Sequence, residues 1–340
     1  MLKERCKKIM DSKRGTFLLA VFLFLAMLII PMAAFGSGGK APPPAPSKKA
    51  APKSAPPPAG VYFRMKDTST GKTITAGDGD FVRGAVAAEM SPEAPQEALK
   101  AQAVAAYTYY SRLRQRNASH ASSPDFTVST ADWNIYVPQE EMKKRWGNSY
   151  GKYYSAISNA ADAVSGQAMT CGGKLIDATY FAISSGQTEN AADVWGTPCA
   201  YLVSVASPWD IYVGGYQTSA SFTESDFRGR ILKIAPKADL GGPAENWVGA
   251  IVRSPAGSVK AVTVGGQVLT GGNVRQAFGL RSADFTVTHT GSGFDFTVKG
   301  YGHGVGMSQT GAEEMARQGA GYKEILAWYY PNTVLTQAKA

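Results

Sequence analysis

Residues 81–116 read FVRGAVAAEMSPEAPQEALKAQAVAAYTYYSRLRQR. Within this stretch Ala98, Ala101, Ala105 and Thr108 recur at three- and four-residue spacing, which places them on one face of a helix. Side chains that small let other backbones approach closely, so the spacing predicts a central, buried helix. Ser91-Pro92 reads as a cap residue followed by proline at the first helical position. Glu89 stands just ahead of it, in the apolar run Ala85-Val-Ala-Ala-Glu89-Met90.

Upstream, Val61-Tyr-Phe-Arg-Met and Lys72-Thr-Ile-Thr read as short strands around the turn Thr70-Gly71. Downstream, residues 119–147 are polar and suit loops around a strand at Phe126–Ser129, and Tyr150–Ala163 suits a helix. From Ala168 to about Asp226, β-branched residues mix with Gly, Ser and Pro, as in strands joined by loops. Val259–Val264, Val268-Leu269 and Phe285–Thr288 alternate like strands separated by glycine turns. The last part returns to helix: Ser308–Arg317 ends at Gly319, and Tyr322–Tyr330 ends at Pro331. The fold class is α+β, with helices flanking a β-rich middle in one domain, residues 61–340.

Ahead of that domain, Thr16 to Phe35 is twenty residues without a charge. At 1.5 Å per residue it spans roughly 30 Å, the thickness of a bilayer core. Residues 1–15 hold six Lys/Arg against Glu4 and Asp11, a balance of +4, which places the N-terminus in the cytoplasm and the rest outside. The expected organisation is a cytoplasmic basic segment at 1–15 and a transmembrane helix at 16–35. A linker rich in Pro, Ala and Lys follows at 36–60, then the exported domain. A cleaved signal peptide, with Ala34-Phe35-Gly36 as a poor cleavage site, remains the alternative. The linker holds eight of the nineteen prolines and no hydrophobic period, which fits an extended spacer. Its four lysines add another +4, so the net charge of +9 leaves about +1 for the domain. That excludes the broad basic field that nucleic-acid binding needs. Cys6 lies on the cytoplasmic side. Cys171 and Cys199 lie outside, where they are expected to form a disulfide, two separate buried thiols being the alternative.

The chain lacks H-E-x-x-H, G-x-S-x-G and a Walker loop. Its three histidines, His120, His289 and His303, are scattered, so neither a metal nor another cofactor is expected. Three stretches could carry chemistry. Glu89, a carboxyl in apolar surroundings, suits a general acid with a raised pKa, or else a helix-start acid held by the helix dipole. Gly300-Tyr-Gly-His303-Gly-Val-Gly-Met307-Ser-Gln309 alternates glycines between a strand and a helix. It suits either close backbone approach to a ligand or a tight structural turn. Tyr180-Phe-Ala-Ile-Ser184-Ser185-Gly186-Gln-Thr188-Glu189-Asn190, with Asp193-Val-Trp195, suits a binding loop or an ordinary hairpin.

Taken together, residues 82–109, 176–196 with 201–210, and 300–333 resemble the stage II sporulation protein D family in order and separation. The resemblance covers nearly all of the exported domain. It implies a membrane-anchored lytic transglycosylase. Such an enzyme cuts the β-1,4 bond between N-acetylmuramic acid and N-acetylglucosamine, prefers peptide-stripped strands and leaves 1,6-anhydro ends. It also implies a role in forespore engulfment, with a partner amidase and a polytopic membrane protein. Glu89 falls on the family's essential glutamate. Lys100, Gln102, Ser184, Ser185, Thr188, Glu189, His303, Met307, Ser308 and Gln309 match motif positions that line the site and hold substrate. Tyr107 replaces the arginine usual in the family, leaving Arg112 or Lys100 to take its part. Two other classes stay open: a non-catalytic glycan-binding protein that stimulates an amidase, and a zinc-dependent wall hydrolase.

Overall fold

The computed structural model describes residues 62–118 and 123–337. Among them the chain is a mixed α+β protein. The expected anchor, the linker, Cys6 and His120 lie outside the described residues. No helix among the described residues is long and apolar enough to cross a membrane.

β1 (Tyr62–Asp67) and β2 (Thr73–Gly77) form the expected hairpin, with Tyr62 opposite Gly77 and Lys66 opposite Thr73. The buried Asp67 carboxylate organises its turn. It accepts from the Ser69 and Thr130 amides and from the Thr70 and Thr130 hydroxyls. Those donors favour the ionised form and hold the carboxyl far below the usual range. α1 (Asp78–Glu89) leaves the hairpin directly, and α2 (Gln96–Asn117) follows.

The break between these helices corrects the expected cap. Ser91 caps a tight turn instead: its Oγ accepts from the Glu93 amide at 3.2 Å and its carbonyl from Ala94 at 3.0 Å. α2 begins only after Pro95, whose carbonyl accepts the first helical bond, from Leu99 at 3.1 Å. Pro92 and Pro95 both lack the N–H that a continuous helix would need. Glu89 therefore ends a helix rather than leading into one.

α2 is the central element, as its small-residue face predicts. Ala98, Ala101, Ala105 and Thr108 are wholly buried. β3 (Phe126–Val128) pairs in parallel with β1, α3 (Gln139–Trp146) follows, and α4 (Tyr150–Ala163) packs on both α1 and α2. β4 (Gln167–Cys171), β5 (Lys174–Leu175), β6 (Tyr180–Phe181) and the short α5 (Ala191–Trp195) complete this part. Phe63, Phe81, Leu99 and Ile157 are fully buried in its core, each contributing roughly 1.5–3 kcal/mol.

The β-rich middle has its own core. β7 (Gln217–Thr223) leads into α6 (Glu224–Ile234), and β8 (Val248–Arg253), β9 (Val259–Val264) and β10 (Gln267–Leu269) form one antiparallel sheet. α7 (Gly271–Phe278) precedes β11 (Asp284–His289) and β12 (Gly293–Lys299), and β12 pairs with both β11 and β7. Phe227 of α6 stacks on Phe294 at 3.8 Å between ring centres. Neither α6 nor α7 was expected from periodicity. Each starts on a threonine whose hydroxyl accepts from an amide three residues on, Thr223 from Asp226 and Thr270 from Asn273.

The last segment returns to the first core. β13 (Met307–Ser308) pairs in parallel with β6, and α8 (Gln309–Arg317) and α9 (Tyr322–Tyr329) pack on α2. β14 (Val334–Gln337) closes against β4.

Candidate active site

The glycine-rich segment 300–306 lies along residues 179–189 and brings the three sequence stretches together. The Met307 amide donates to Thr179 O at 3.1 Å, Tyr301 and Ile183 exchange backbone bonds, and Glu189 N donates to Gly304 O at 2.7 Å. The approach is too close for side chains at its glycines. A Cβ on Gly306 would stand 2.0 Å from the Thr179 carbonyl oxygen, and φ there is +87°. This zipper sets Gln309 at the start of α8, where Ser308 Oγ caps the helix by accepting from Gly311 N at 3.2 Å.

Gln309 faces Glu89. Its amide nitrogen donates to Glu89 Oε2 at 3.3 Å and to Gln102 Oε1 at 3.4 Å, so both of its protons are used. Gln102 is fully buried, and its own amide nitrogen has no partner among the described residues. Burial raises the Glu89 carboxyl above the usual range, and the Gln309 bond only partly opposes it. The position at the C-terminal end of α1 acts in the same direction as burial, because the helix dipole is negative there. Tyr110 and Tyr180 hydrogen-bond each other beside this carboxylate, and burial and its charge push both phenols up.

Sequence reasoning missed Tyr110 and Tyr180 as site residues. Tyr110 lies two helical turns beyond Gln102 on α2, a spacing that was available to find it. Tyr180 lies within one of the matched stretches, but its partner in β13 is distant in sequence.

Asp210 was missed as well. It is wholly buried and accepts from Ser184 N at 2.7 Å and from Ser308 Oγ at 2.6 Å. Burial is the largest influence on its carboxyl and raises it, against those bonds. Ser184 and Ser308 thus point inward, to Asp210. Thr188 is buried and exchanges bonds with Val205, and Met307 belongs to the core. Glu189 is buried too, accepting from Ser254 Oγ at 2.9 Å and Ser258 N at 3.1 Å. Ser185 Oγ reaches Ala256 O. These matched residues hold the site's frame.

His303 sits between Phe181 and the exposed Trp195, with ring centres at 5.7 and 5.4 Å. Its Nδ1 accepts from Val305 N at 3.1 Å, which leaves the ring proton on Nε2. Burial, helped by the Arg275 charge, lowers its pKa to about 4, so the ring is neutral near pH 7. His289, at the end of β11, is partly buried and bonded to Glu224. Among the described residues no three His, Cys, Asp or Glu side chains gather in a way that could hold a metal.

A family model described as stage II sporulation protein matches residues 68–171. Stage II sporulation protein D of Bacillus subtilis (strain 168) is 36% identical over 263 residues, which cover 77% of this chain and 75% of that protein. This chain belongs to the stage II sporulation protein D family. The Bacillus amyloliquefaciens protein of the same name is 37% identical over 261 residues, 76% of this chain and 74% of its own. A protein named amidase enhancer, from Bacillus subtilis (strain 168), is 27% identical over 303 residues, 75% of this chain and 40% of its own.

Within this member of the family, Tyr107 turns away from Glu89. It contacts Asp78 and Ser111 and meets Phe63 edge-on at 6.4 Å. Neither expected substitute for the family's arginine reaches Glu89. Arg112 binds Asp177 at 2.8 Å and the Leu175 carbonyl. Lys100 binds Glu97 at 2.6 Å and lies over the Tyr322 ring. The expected disulfide is not formed: Cys171 and Cys199 are free thiols. Cys171 closes the β4–β5 pair opposite Lys174, while Cys199 contacts the Tyr201 side chain.

Proposed function

We propose that this sporulation-family protein is a peptidoglycan lytic transglycosylase that cuts the β-1,4 bond from N-acetylmuramic acid to N-acetylglucosamine. The observation that carries this reading is the half-buried Glu89 carboxyl, raised by that burial and held by Gln309 where the three matched stretches converge. An ordinary glycosidase needs two carboxylates flanking the bond. Here the other acids of the matched site, Glu189 and Asp210, are buried and bonded inward. A transglycosylase needs one. Protonated Glu89 gives its proton to the glycosidic oxygen as the C1–O bond breaks. The resulting carboxylate takes a proton from the muramic C6 hydroxyl as that oxygen bonds to C1, which leaves a 1,6-anhydro end and restores the acid. Gln102 and the Tyr110–Tyr180 pair offer neutral polar groups beside the developing charge. The exposed rings of Trp195 and Tyr301 offer faces for sugar rings.

The test is mass spectrometry of products from amidase-stripped glycan. The wild type is expected to release anhydro-ended fragments and Glu89→Gln to release them about 10²–10⁴-fold more slowly while still binding strands. Near wild-type release by Glu89→Gln would exclude Glu89 as the acid.

The same proposal places residues 16–35 in the cell membrane as a single span, with 1–15 cytoplasmic, 36–60 as spacer and the catalytic domain outside. A chain starting at residue 61 should then leave the membrane fraction, and its retention there would count against the anchor. Forespore engulfment, with a partner amidase and a polytopic membrane protein, is the setting the family resemblance implies.

A second reading is a non-catalytic glycan-binding protein that stimulates an amidase. The similarity to a protein named amidase enhancer favours it. Strand binding without new ends, together with faster turnover by an added amidase, would select this reading.

A further inference from the structure

Arg275 of α7 and Arg281, just beyond that helix, line one cleft of about 550 Å³ together with Gln276 and Tyr301. No acid lines it. Neither arginine forms an ion pair among the described residues, although Arg83, Arg112, Arg114 and Arg253 all do. Among the described residues the Arg275 side chain donates only to the Leu280 carbonyl, at 3.3 Å, and Arg281 Nε is buried without a partner. The Arg281 guanidinium lies over the Tyr301 ring, 4.2 Å from its centre. Burial lowers the Arg275 pKa from its usual value, as expected of a cation taken from water without a counter-charge. Two uncompensated guanidiniums in one cleft make a site for an anion, and their planar forks suit a carboxylate.

The cleft borders the glycine-rich segment of the candidate active site through Tyr301. Gly302 N donates to Arg281 O at 2.9 Å, and Tyr301 pairs with Ile183. Arg275 is close enough for its charge to act on His303. A ligand in the cleft therefore lies on the same glycine-rich segment that positions Gln309.

On a glycan strand, muramic acid differs from glucosamine by its 3-O-lactyl group. With a stem peptide attached, the lactyl carboxyl is a neutral amide. Once the peptide is removed, it is a free carboxylate. Resting on the glycan reading above, we propose that Arg275 and Arg281 form a subsite for the free lactyl carboxylate of muramic acid. The subsite would read whether a strand has been stripped.

Binding is measured in the Glu89→Gln background, so that no ligand is consumed. Three probes of equal sugar length are used: a peptide-stripped muramyl tetrasaccharide, the same strand with its stems, and chitotetraose, which has no carboxylate. The stripped strand is expected to bind about 10-fold tighter than either of the others, equivalent to one bidentate contact. R275Q/R281Q should reduce that preference to less than about twofold while leaving chitotetraose affinity unchanged. The preference should also shrink as salt rises, a readout that holds even if the double variant does not fold. A preference that survives R275Q/R281Q, is independent of salt, or favours strands with intact stems would overturn the subsite and leave the glycan reading standing. Failure of all three probes to bind would sink both.

Discussion

At Glu89, burial and the C-terminal end of α1 raise the carboxyl, and the Gln309 amide lowers it. The first two prevail, so the protonated form a general acid needs persists to higher pH than for a free glutamate. Glu89→Gln is expected to lower cleavage by about 10²–10⁴-fold, the usual worth of general acid–base catalysis. The same change should stabilise the fold. A carboxyl whose folded pKa is raised gives its full stability below the unfolded pKa, and that stability is lost as pH rises through the folded pKa. The amide never ionises, so the thermal midpoint of Glu89→Gln should exceed the wild type's at neutral pH and match it in acid. A variant less stable than wild type at both pH values would show that Glu89 is not held against its charge. Gln309→Ala removes the one bond that favours the ionised form. The alkaline limb of the activity profile should therefore move to higher pH, while maximal turnover falls about 10-fold from lost positioning. A limb that moves down instead would mean that Gln309 does not donate to Glu89 in the working enzyme.

Among the elements, those with local signals were legible in the sequence. The small-residue face placed α2 at the centre, and strand alternation gave β9, β10 and β11. The α1–α2 break was misread because Ser-Pro signals a helix start and a capped turn equally well, and only Pro95 decides between them. α6 and α7 were hidden because each is short and its apolar residues face one core from an otherwise polar stretch. The Thr-x-x-Asp and Thr-x-x-Asn caps were the available clue. The glycine zipper was visible as a pattern, but its partner along 179–189 was not, since contacts over more than a hundred residues leave no local periodicity. That contact can be tested at two glycines with similar backbone. At Gly279, φ is +65° and a Cβ would meet nothing within 4 Å. Gly279→Ala should cost only about 1 kcal/mol, the backbone penalty alone. At Gly306 the same penalty is joined by a clash with the Thr179 carbonyl, so Gly306→Ala should cost about 2–4 kcal/mol and lower activity with it. Denaturant midpoints compare the two, and equal costs would mean the zipper yields easily.

For the whole molecule, the question is what holds the β-rich core against the helical one. The chain leaves the first core before β7 and returns after β12, and side-chain bonds join backbone bonds such as Gly302 N to Arg281 O in docking the two. Ser185 and Gln187 reach the carbonyls of Ala256 and Pro255. Glu189 makes the most buried of these ties. Its backbone amide holds Gly304, and its Oε1 accepts from both Ser254 Oγ and Ser258 N in the loop between β8 and β9. The second carboxylate oxygen has no hydrogen-bond partner among the described residues. If Glu189 serves as this tie rather than as a reacting acid, the two roles respond differently to substitution. Glu189→Gln keeps a carbonyl oxygen for both donors but sets an amide where the unpartnered oxygen stood, so it should lose less stability than Glu189→Ala, and cleavage by the folded protein should stay near wild type. Glu189→Ala leaves the Ser254 hydroxyl and the Ser258 amide buried without an acceptor, at about 1–3 kcal/mol each. It should lower the denaturant midpoint and raise hydrogen exchange first along residues 254–258 and 300–306, where the modules meet. Cleavage should fall only as far as folded protein is lost. Loss of cleavage in Glu189→Gln with the fold intact would instead give this carboxylate a part in the chemistry, and the single-acid mechanism would have to be abandoned.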